Sequence, residues 1–572
     1  FLHFNAFANT IRLVGSEEQK QKWLPLCANL SVIGSYAQTE LAHGSNVQGL
    51  QTRADFDKET QEFILHTPDV KAAKFWPGLL GKIGTHCVCH ARLFIDNMFY
   101  GIMTYIVQVR DSETHEPMPG VEVGDIGPKY GFEQTDNGYL ILNKVRVPRE
   151  NMLSRYTEVT PEGRFEFKDP NAIKLLYGSM LSLRIWIATN SAMFCGVAST
   201  IAIRYSIVRK QFHTLPEGTE GEERKILDYQ LQQYRLFPIL AFTYGLKFVT
   251  DRVMIDYEEL MNRINTTGDS KGLAEMHCHA SGFKAYGTWR TTEALDECRR
   301  TLGGHGYSEY SALPILIKQW APSTTYEGDN TVLYLQTGNF LLKNYEKLVE
   351  GKQVSPAVPY LNRLAELETA TLKRQSAEEV TLDDLFEMME HWTATVLKRE
   401  STKVIALKEA GKTENQIQCE LSQKGLMKVA DVHLNYYFID TYRNRINSID
   451  DAEIKSVLTA LAMLYAAKVV VENASDFYVS GYLQKGQIEI INEVINVCMK
   501  KIRVNALSLV DSFLFYDSEL QSALGGFKGD VYNTIYDWTI NKNPMNNSDL
   551  APGVTEHLQP LRKYYKKKAR LQ

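Results

Sequence analysis

The 572-residue chain has no CxxC pair among its eight cysteines, no unbroken apolar run long enough to span a bilayer, no internal repeat and no low-complexity tract. Scattered cysteines in segments that otherwise read as core argue against a disulfide framework and for reduced thiols in an intracellular compartment. The longest apolar run, VLTALAMLYAA from Val457, stops at Lys468 and reads as a buried helix. A net charge of −5 leaves no excess of positive charge for a nucleic acid, and the basic cluster Lys566 to Lys568 reads as a solvated tail. There is no P-loop, no HExxH helix, no Ser/His/Asp motif and no GxGxxG following a strand, so none of those mechanisms is on offer. Two clusters resemble metal ligands at first sight. In HCVCH, at His86 to His90, alternation along a strand sends Cys87 and Cys89 to one face and the histidines to the other. In the helical HCH, at His277 to His279, neighbouring side chains diverge. Neither favours a metal.

What is present is a chain too long for one core, with 44% hydrophobic and 23% charged residues, as expected of a multidomain globular protein. The order of patterns predicts a mainly helical α+β fold. Residues 1–33 have helical spacing, with Ser16 as an N-cap before acidic first-turn residues. This stretch opens mid-pattern at Phe1, so an upstream portion of the helical domain is expected. Residues 34–150 carry short β-branched and aromatic runs between turn clusters and predict an antiparallel β domain. Residues 169–350 return to the helical period and predict a four-helix bundle, with the acidic loop PEGTEGEE from Pro216 between two of its helices. A linker with two prolines, GKQVSPAVPY from Gly351, leads to a second helical domain over 361–572. Its first helix has a capping box at Thr381 and Asp384, with Leu385, Met389 and Trp392 along one face.

The chemistry-bearing stretches fall at the junctions of these regions, where clefts form. YAQTELAHGSN, from Tyr36, supplies Gln38, Thr39 and Ser45 among small residues, and KFWPGLLG, from Lys74, sets Trp76 beside Pro77 and Gly78. An aromatic face next to glycine suits a planar ring, although on the residues alone strand-end turns around a core tryptophan are the simpler reading. LGGHGYSEYSALP, from Leu302, is a glycine-rich loop whose amides, at Gly303 and Gly304, could receive a pyrophosphate. RKQF, from Arg209, ends a helix with two cations, either as solvated capping or as an anion contact. In TTYEGDNTVLYLQTG, from Thr324, Glu327 is either a surface turn residue or a general base, with Asp329 or Asn330 as the cap of the next helix.

Taken together, these segments resemble the acyl-CoA oxidases, the long flavoprotein branch of the acyl-CoA dehydrogenase superfamily. The likeness rests on YAQTELAHGSN, KFWPGLLGK, PMPGVEVGDIGPKYGFEQTDNGYLILNKVRVPRENML, AIRYSIVRKQF, ILDYQLQQYRLFP, GGHGYSEYSALP and TYEGDNTVLYLQT, in the family's order. Ala42 departs from the glycine more usual there. The resemblance implies FAD, with Thr39 and Gly78 against the flavin and Gln38 and Trp76 beside it. It places Arg209, Gln211, Gly303 and Gly304 at the pyrophosphate and adenosine across a homodimer interface, Ser45 at the acyl-CoA thioester, and Glu327 as the catalytic base. The reaction implied is oxidation of acyl-CoA to trans-2-enoyl-CoA, with O2 reduced to hydrogen peroxide, as the first step of fatty-acid β-oxidation. The alternatives are an acyl-CoA dehydrogenase using a flavoprotein acceptor and a catalytically silent scaffold relative. A peroxisomal setting is also implied, although the ARL triplet at Ala569 to Leu571 is followed by Gln572.

Overall fold

Ser16 accepts from the Gln19 amide while the Gln19 side chain returns to the Ser16 amide, so a reciprocal capping box starts α2. In the computed structural model, which describes residues 2–168, 172–213 and 223–570 (from 172 to 180 as backbone only), α1 (Asn9–Val14) and α2 (Glu17–Ala28) form the N-terminal helices. The acidic stretch from Pro216, apart from Glu223, and the last two residues lie outside the described residues. The Gln19 side chain also donates to the carbonyls of Glu150 and Met152, tying the helices to the far end of the β region.

The β region has nine main strands: β1 (Gly34–Ala37), β2 (Arg53–Asp57), β3 (Glu62–His66), β4 (Lys74–Gly78), β5 (His86–Ile95), β6 (Met98–Gln108), β7 (Val121–Asp125), β8 (Asn137–Leu142) and β9 (Val145–Pro148). Strand β5 is the spine. Along one edge it pairs antiparallel with β6, and on the other it pairs with β1 near its start and β2 near its end. Both of those last pairings are parallel, so the sheet is mixed where a purely antiparallel one was expected. The reason lies in connectivity: β1 and β2 reach β5 by long crossovers, and no local turn motif announces them. Strands β3 and β9 complete this sheet, and β4, β8 and β7 form a separate antiparallel one. Alternation along β5 is as expected: Cys87 and Cys89 are buried in the sheet core, whereas the His86 ring packs on Trp23 and His90 meets Tyr36.

A buried ion pair holds the two sheets where they meet. Glu40 and Lys74 have fully buried side chains, with Nζ 3.2 Å from Oε1. The Glu40 carboxylate also accepts from the Gln51 and Thr52 amides and the Thr52 hydroxyl, and Lys74 donates to the Gln38 carbonyl. Burial opposes the Glu40 charge, but Lys74 and the Thr52 and Gln51 donors outweigh it and hold the carboxyl below its usual range.

The helical part begins with α3 (Ala172–Val208), α4 (Gln230–Thr267) and α5 (Leu273–Thr301), followed by the short α6 (Gly304–Tyr307), α7 (Leu313–Trp320) and α8 (Asn330–Val349). A further set of helices, including Leu382–Glu409, Gln423–Asn447, Ala452–Glu472 and Gln487–Asp511, packs on α4, α5 and α8. The Thr381 capping box forms as expected. One apolar core runs through both sets: Phe242 stacks on Phe438, and the Tyr286 hydroxyl bonds Asn435 and Tyr465. Gly245 on α4 is small for a reason, because a Cβ there would lie 2.2 Å from the Phe438 ring. The run from Val457 belongs to a longer helix than its apolar letters suggest, Ala452–Glu472. That helix and Leu181–Val208 of α3 are long and apolar enough to cross a membrane, and both are mostly buried in this core.

Lys74→Met leaves the Glu40 carboxylate buried without its cation, and is expected to destabilise the β region by about 3–5 kcal/mol. Amide hydrogen exchange in β1 and β4 measures this, and adding Glu40→Gln should recover part of the loss. Because the Glu40 carboxyl is held low, its contribution is present at neutral pH and fades as pH falls through that depressed value.

Candidate active site

Asp329 caps α8 by accepting from the Thr331 and Val332 amides, so the helix start fixes the turn before it. That turn is unusual: Glu327 has φ +56° and Gly328 φ +108°. Glycine adopts such a backbone freely, but for glutamate it costs about 1 kcal/mol or more, which the surroundings must supply.

Two cations on neighbouring helices supply it. Arg184, on α3, donates from Nε to the Glu327 carbonyl at 3.1 Å, and its Nη1 donates to the Ser281 hydroxyl at 2.9 Å. Lys284, on α5 and wholly buried, donates to the Gly328 carbonyl at 2.7 Å and to Asn330 Oδ1 at 3.0 Å. The carbonyls of both left-handed residues, Glu327 and Gly328, are therefore taken up by charged donors. The Glu327 side chain is half-buried. Desolvation raises its carboxyl pKa above the ordinary value, and the charges of Arg184 and Lys284 pull against that rise without cancelling it.

The β region closes on this turn. Burial raises the pKa of the Tyr36 hydroxyl on β1, and the Glu327 charge raises it further; the Tyr326 hydroxyl is pushed up to about 12 by the same two causes. The segment after Tyr36 is joined to β4: the Phe75 amide donates to the Thr39 carbonyl at 3.0 Å, and Lys74 ties Gln38 to Glu40. Gln38 and Thr39 thus sit alongside the strand that bears Trp76 and Gly78, and follow directly on Tyr36. Trp76 is not a core residue. It has φ +85° and is 55% exposed, with its indole edge-on to Phe75, so its ring is accessible to a planar ligand. Gly78 is buried for a packing reason, since a Cβ would lie 2.2 Å from Leu2 Cδ1. Ser45 is exposed in the bend after the Glu40–His43 bridge.

Arg209, Gln211, Gly303 and Gly304 form a second group at the other end of the bundle. Helix α3 stops at Val208, and Lys210–His213 forms a strand paired with Glu223–Lys225, so RKQF opens a hairpin where a helix end was expected. Tyr205 and His305 bring this end of α3 edge-to-face with the glycine loop, and Gln232 bridges Ser206 and the Thr301 carbonyl. Arg209 also reaches the Tyr532 hydroxyl at 3.5 Å. Gly303, at φ +61°, and Gly304 are exposed with open space before both, a cradle in which a ligand can approach the main chain. From Arg184 to the end of α3 is about 36 Å at 1.5 Å per residue, so this second group lies well away from the Glu327 turn.

Sequence reasoning missed Arg184, Lys284 and Tyr36. Each cation stands alone in an apolar helical run, LSLRIWI and GFKAYG, where a charge on the core face needs a buried partner; that was the available signal. His277 lies beside Arg184 and is pushed down to about 4 by burial and by that charge, whereas His279 stacks on His433, so the two histidines do diverge. Among the described residues, no group of three or more His, Cys, Asp or Glu is arranged to hold a metal ion.

Comparison with known proteins finds two family models on the helical part: the acyl-CoA oxidase C-alpha1 domain over residues 177–342 and acyl-CoA oxidase over 381–563. Human peroxisomal acyl-coenzyme A oxidase 1 is 38% identical over 566 residues, spanning 98% of this chain and 84% of its own length. The Arabidopsis thaliana enzyme of the same name is 37% identical over 575 residues, or 100% of this chain and 85% of its own. Among solved structures, Arabidopsis thaliana acyl-CoA oxidase 1 superposes with a TM-score of 0.93 at 36% identity, covering 98% of this chain and 85% of that one. Caenorhabditis elegans acyl-CoA oxidase-1, solved in complex with FAD and ATP, gives 0.92 at 33% identity, covering 98% and 83%. The chain belongs to the acyl-CoA oxidase family.

Proposed function

We infer that Glu327 is the general base of this enzyme, which carries out the FAD-dependent oxidation of acyl-CoA to trans-2-enoyl-CoA, the first step of fatty-acid β-oxidation. The observation that carries the inference is a single carboxyl, raised by burial, held in a strained turn and close enough to Tyr36 of the β region to raise its hydroxyl.

The chemistry explains why such a carboxyl is needed. The α-proton of a thioester is weakly acidic, and an exposed carboxylate is too weak a base to remove it. Desolvation strengthens the base, and a hydrogen bond to the thioester carbonyl from the Glu327 N–H, as part of an oxyanion hole, acidifies the carbon. When bound, FAD supplies the two-electron acceptor for the hydride lost from Cβ. Gln38, Thr39, Trp76 and Gly78 would hold its ring system, with Gly78 offering only main chain, and Ser45 would lie toward the thioester. Arg209, Gln211, Gly303 and Gly304 would take the pyrophosphate and adenosine of FAD bound to a second copy of the chain. O2 would be the final two-electron acceptor, giving hydrogen peroxide. The relatives are named peroxisomal, and we propose the same compartment for this chain.

Glu327→Gln changes almost no volume and removes the basic site. The variant should stay yellow with FAD while turnover falls on the order of a hundredfold or more, and peroxide release at the parent rate would refute the role. In the parent protein, activity should fall as pH drops through the raised Glu327 value, because the protonated form accepts no proton. Anaerobically reduced protein should regain its yellow absorbance in air without an added acceptor; protein that stays bleached until an electron-transfer flavoprotein is added would be a dehydrogenase.

A further inference from the structure

A wholly buried lysine is costly unless its charge has a use, and among the described residues Lys284 makes no ion pair with a carboxylate. Its hydrogen bonds go to the Gly328 carbonyl and to Asn330 Oδ1, both in the turn that carries Glu327. Asn330 is itself fixed, donating from Nδ2 to the Thr288 hydroxyl at 2.8 Å, one turn further along α5. Lys284, Asn330 and Thr288 therefore clamp the exit of the turn onto α5, while Arg184 holds its entry from α3.

We propose that Lys284 is a positioning residue for α-proton abstraction: its ammonium keeps the Glu327–Gly328 turn in its left-handed conformation and its charge favours the ionised, proton-accepting form of the base. The inference rests on Glu327 being that base and goes beyond it. The groups facing the Glu327 carboxyl are Arg184 from α3, Lys284 from α5, Tyr36 from β1, and Tyr326 on the turn itself. Around Lys284, burial and Arg184 draw its ammonium down to about 7, against Glu327 and Asp329, which favour its charge. The lysine thus stays close to the point of losing its charge, and its influence on the base is greatest below that pH. A neutral Lys284 still donates to Gly328, so position and charge are separable.

Two variants separate them. Lys284→Met removes donor and charge; Lys284→Gln removes the charge and keeps a donor. In anaerobic stopped-flow mixing with acyl-CoA, flavin bleaching is followed across pH, with FAD content read from absorbance. Both variants should load FAD. In both, the acid limb of the bleaching rate should move to higher pH by about one unit, the low end for a nearby charge. The plateau rate should fall tenfold or more in Lys284→Met and recover in part in Lys284→Gln. An acid limb that stays in place in either folded variant overturns the proposal, and so does failure of both to fold and load FAD, which would make Lys284 a core residue only. Glu327→Gln in the same assay keeps the two inferences distinct: bleaching at the parent rate there would remove the base assignment itself, whereas an inert Glu327→Gln beside unshifted Lys284 variants would remove only this one.

Discussion

The account depends on one electrostatic compromise: a carboxyl partly withdrawn from water next to two cations that are buried. Desolvation alone would protonate Glu327 and make it useless as a base, and close ion pairing would make it too weak a base. Arg184 and Lys284 avoid the second outcome because their hydrogen bonds go to the carbonyls of the turn, and only their fields reach the carboxyl. Ionising a group whose folded-state pKa is raised costs stability as pH rises through that value, so the bundle gives up folding free energy to keep this base ready. The uninterrupted core between the bundle and the later helices supplies the rigidity against which that loss is tolerated.

The β region uses the same device with the opposite outcome. Glu40 is buried, but Lys74 and three donors within hydrogen-bonding distance meet its carboxylate directly, and its pKa is held low. This carboxylate is structural: it fastens Gln38, Thr39 and the strand bearing Trp76 into one platform. Two glutamates in one chain therefore diverge in role because of what their neighbours donate to. Where the donors bond the carboxylate itself the group is a strut, and where they bond the adjacent main chain the carboxylate is left free to react.

How much of this was legible in the sequence follows from the range of each interaction. Caps are local, and Ser16, Thr381 and Asp329 could be read from neighbouring letters. The helical and strand periods, the order of regions and the candidacy of Glu327 were likewise within reach, the last only through its company of motifs. The parallel pairings of β1 and β2 with β5 were not, because they join segments dozens of residues apart. Trp76 was ambiguous for a related reason: its exposure comes from a left-handed backbone at one residue, and no periodicity encodes that. The hairpin opening at Lys210 was read as a helix end because its pairing partner lies on the far side of an acidic loop. Arg184 and Lys284 stand as lone cations in apolar runs, and no neighbouring residue in the sequence says what such a charge on a core face serves.

The most direct test is the ionisation of Glu327 in the FAD-loaded, unmodified protein, followed as the carboxyl C=O stretch by difference infrared spectroscopy and assigned by its disappearance in Glu327→Gln. The account predicts a protonated carboxyl band that persists to a pH above the ordinary glutamate value of 4.5. A band that vanishes at or below that value would mean that the turn presents a solvated carboxylate, and the base described here would not exist.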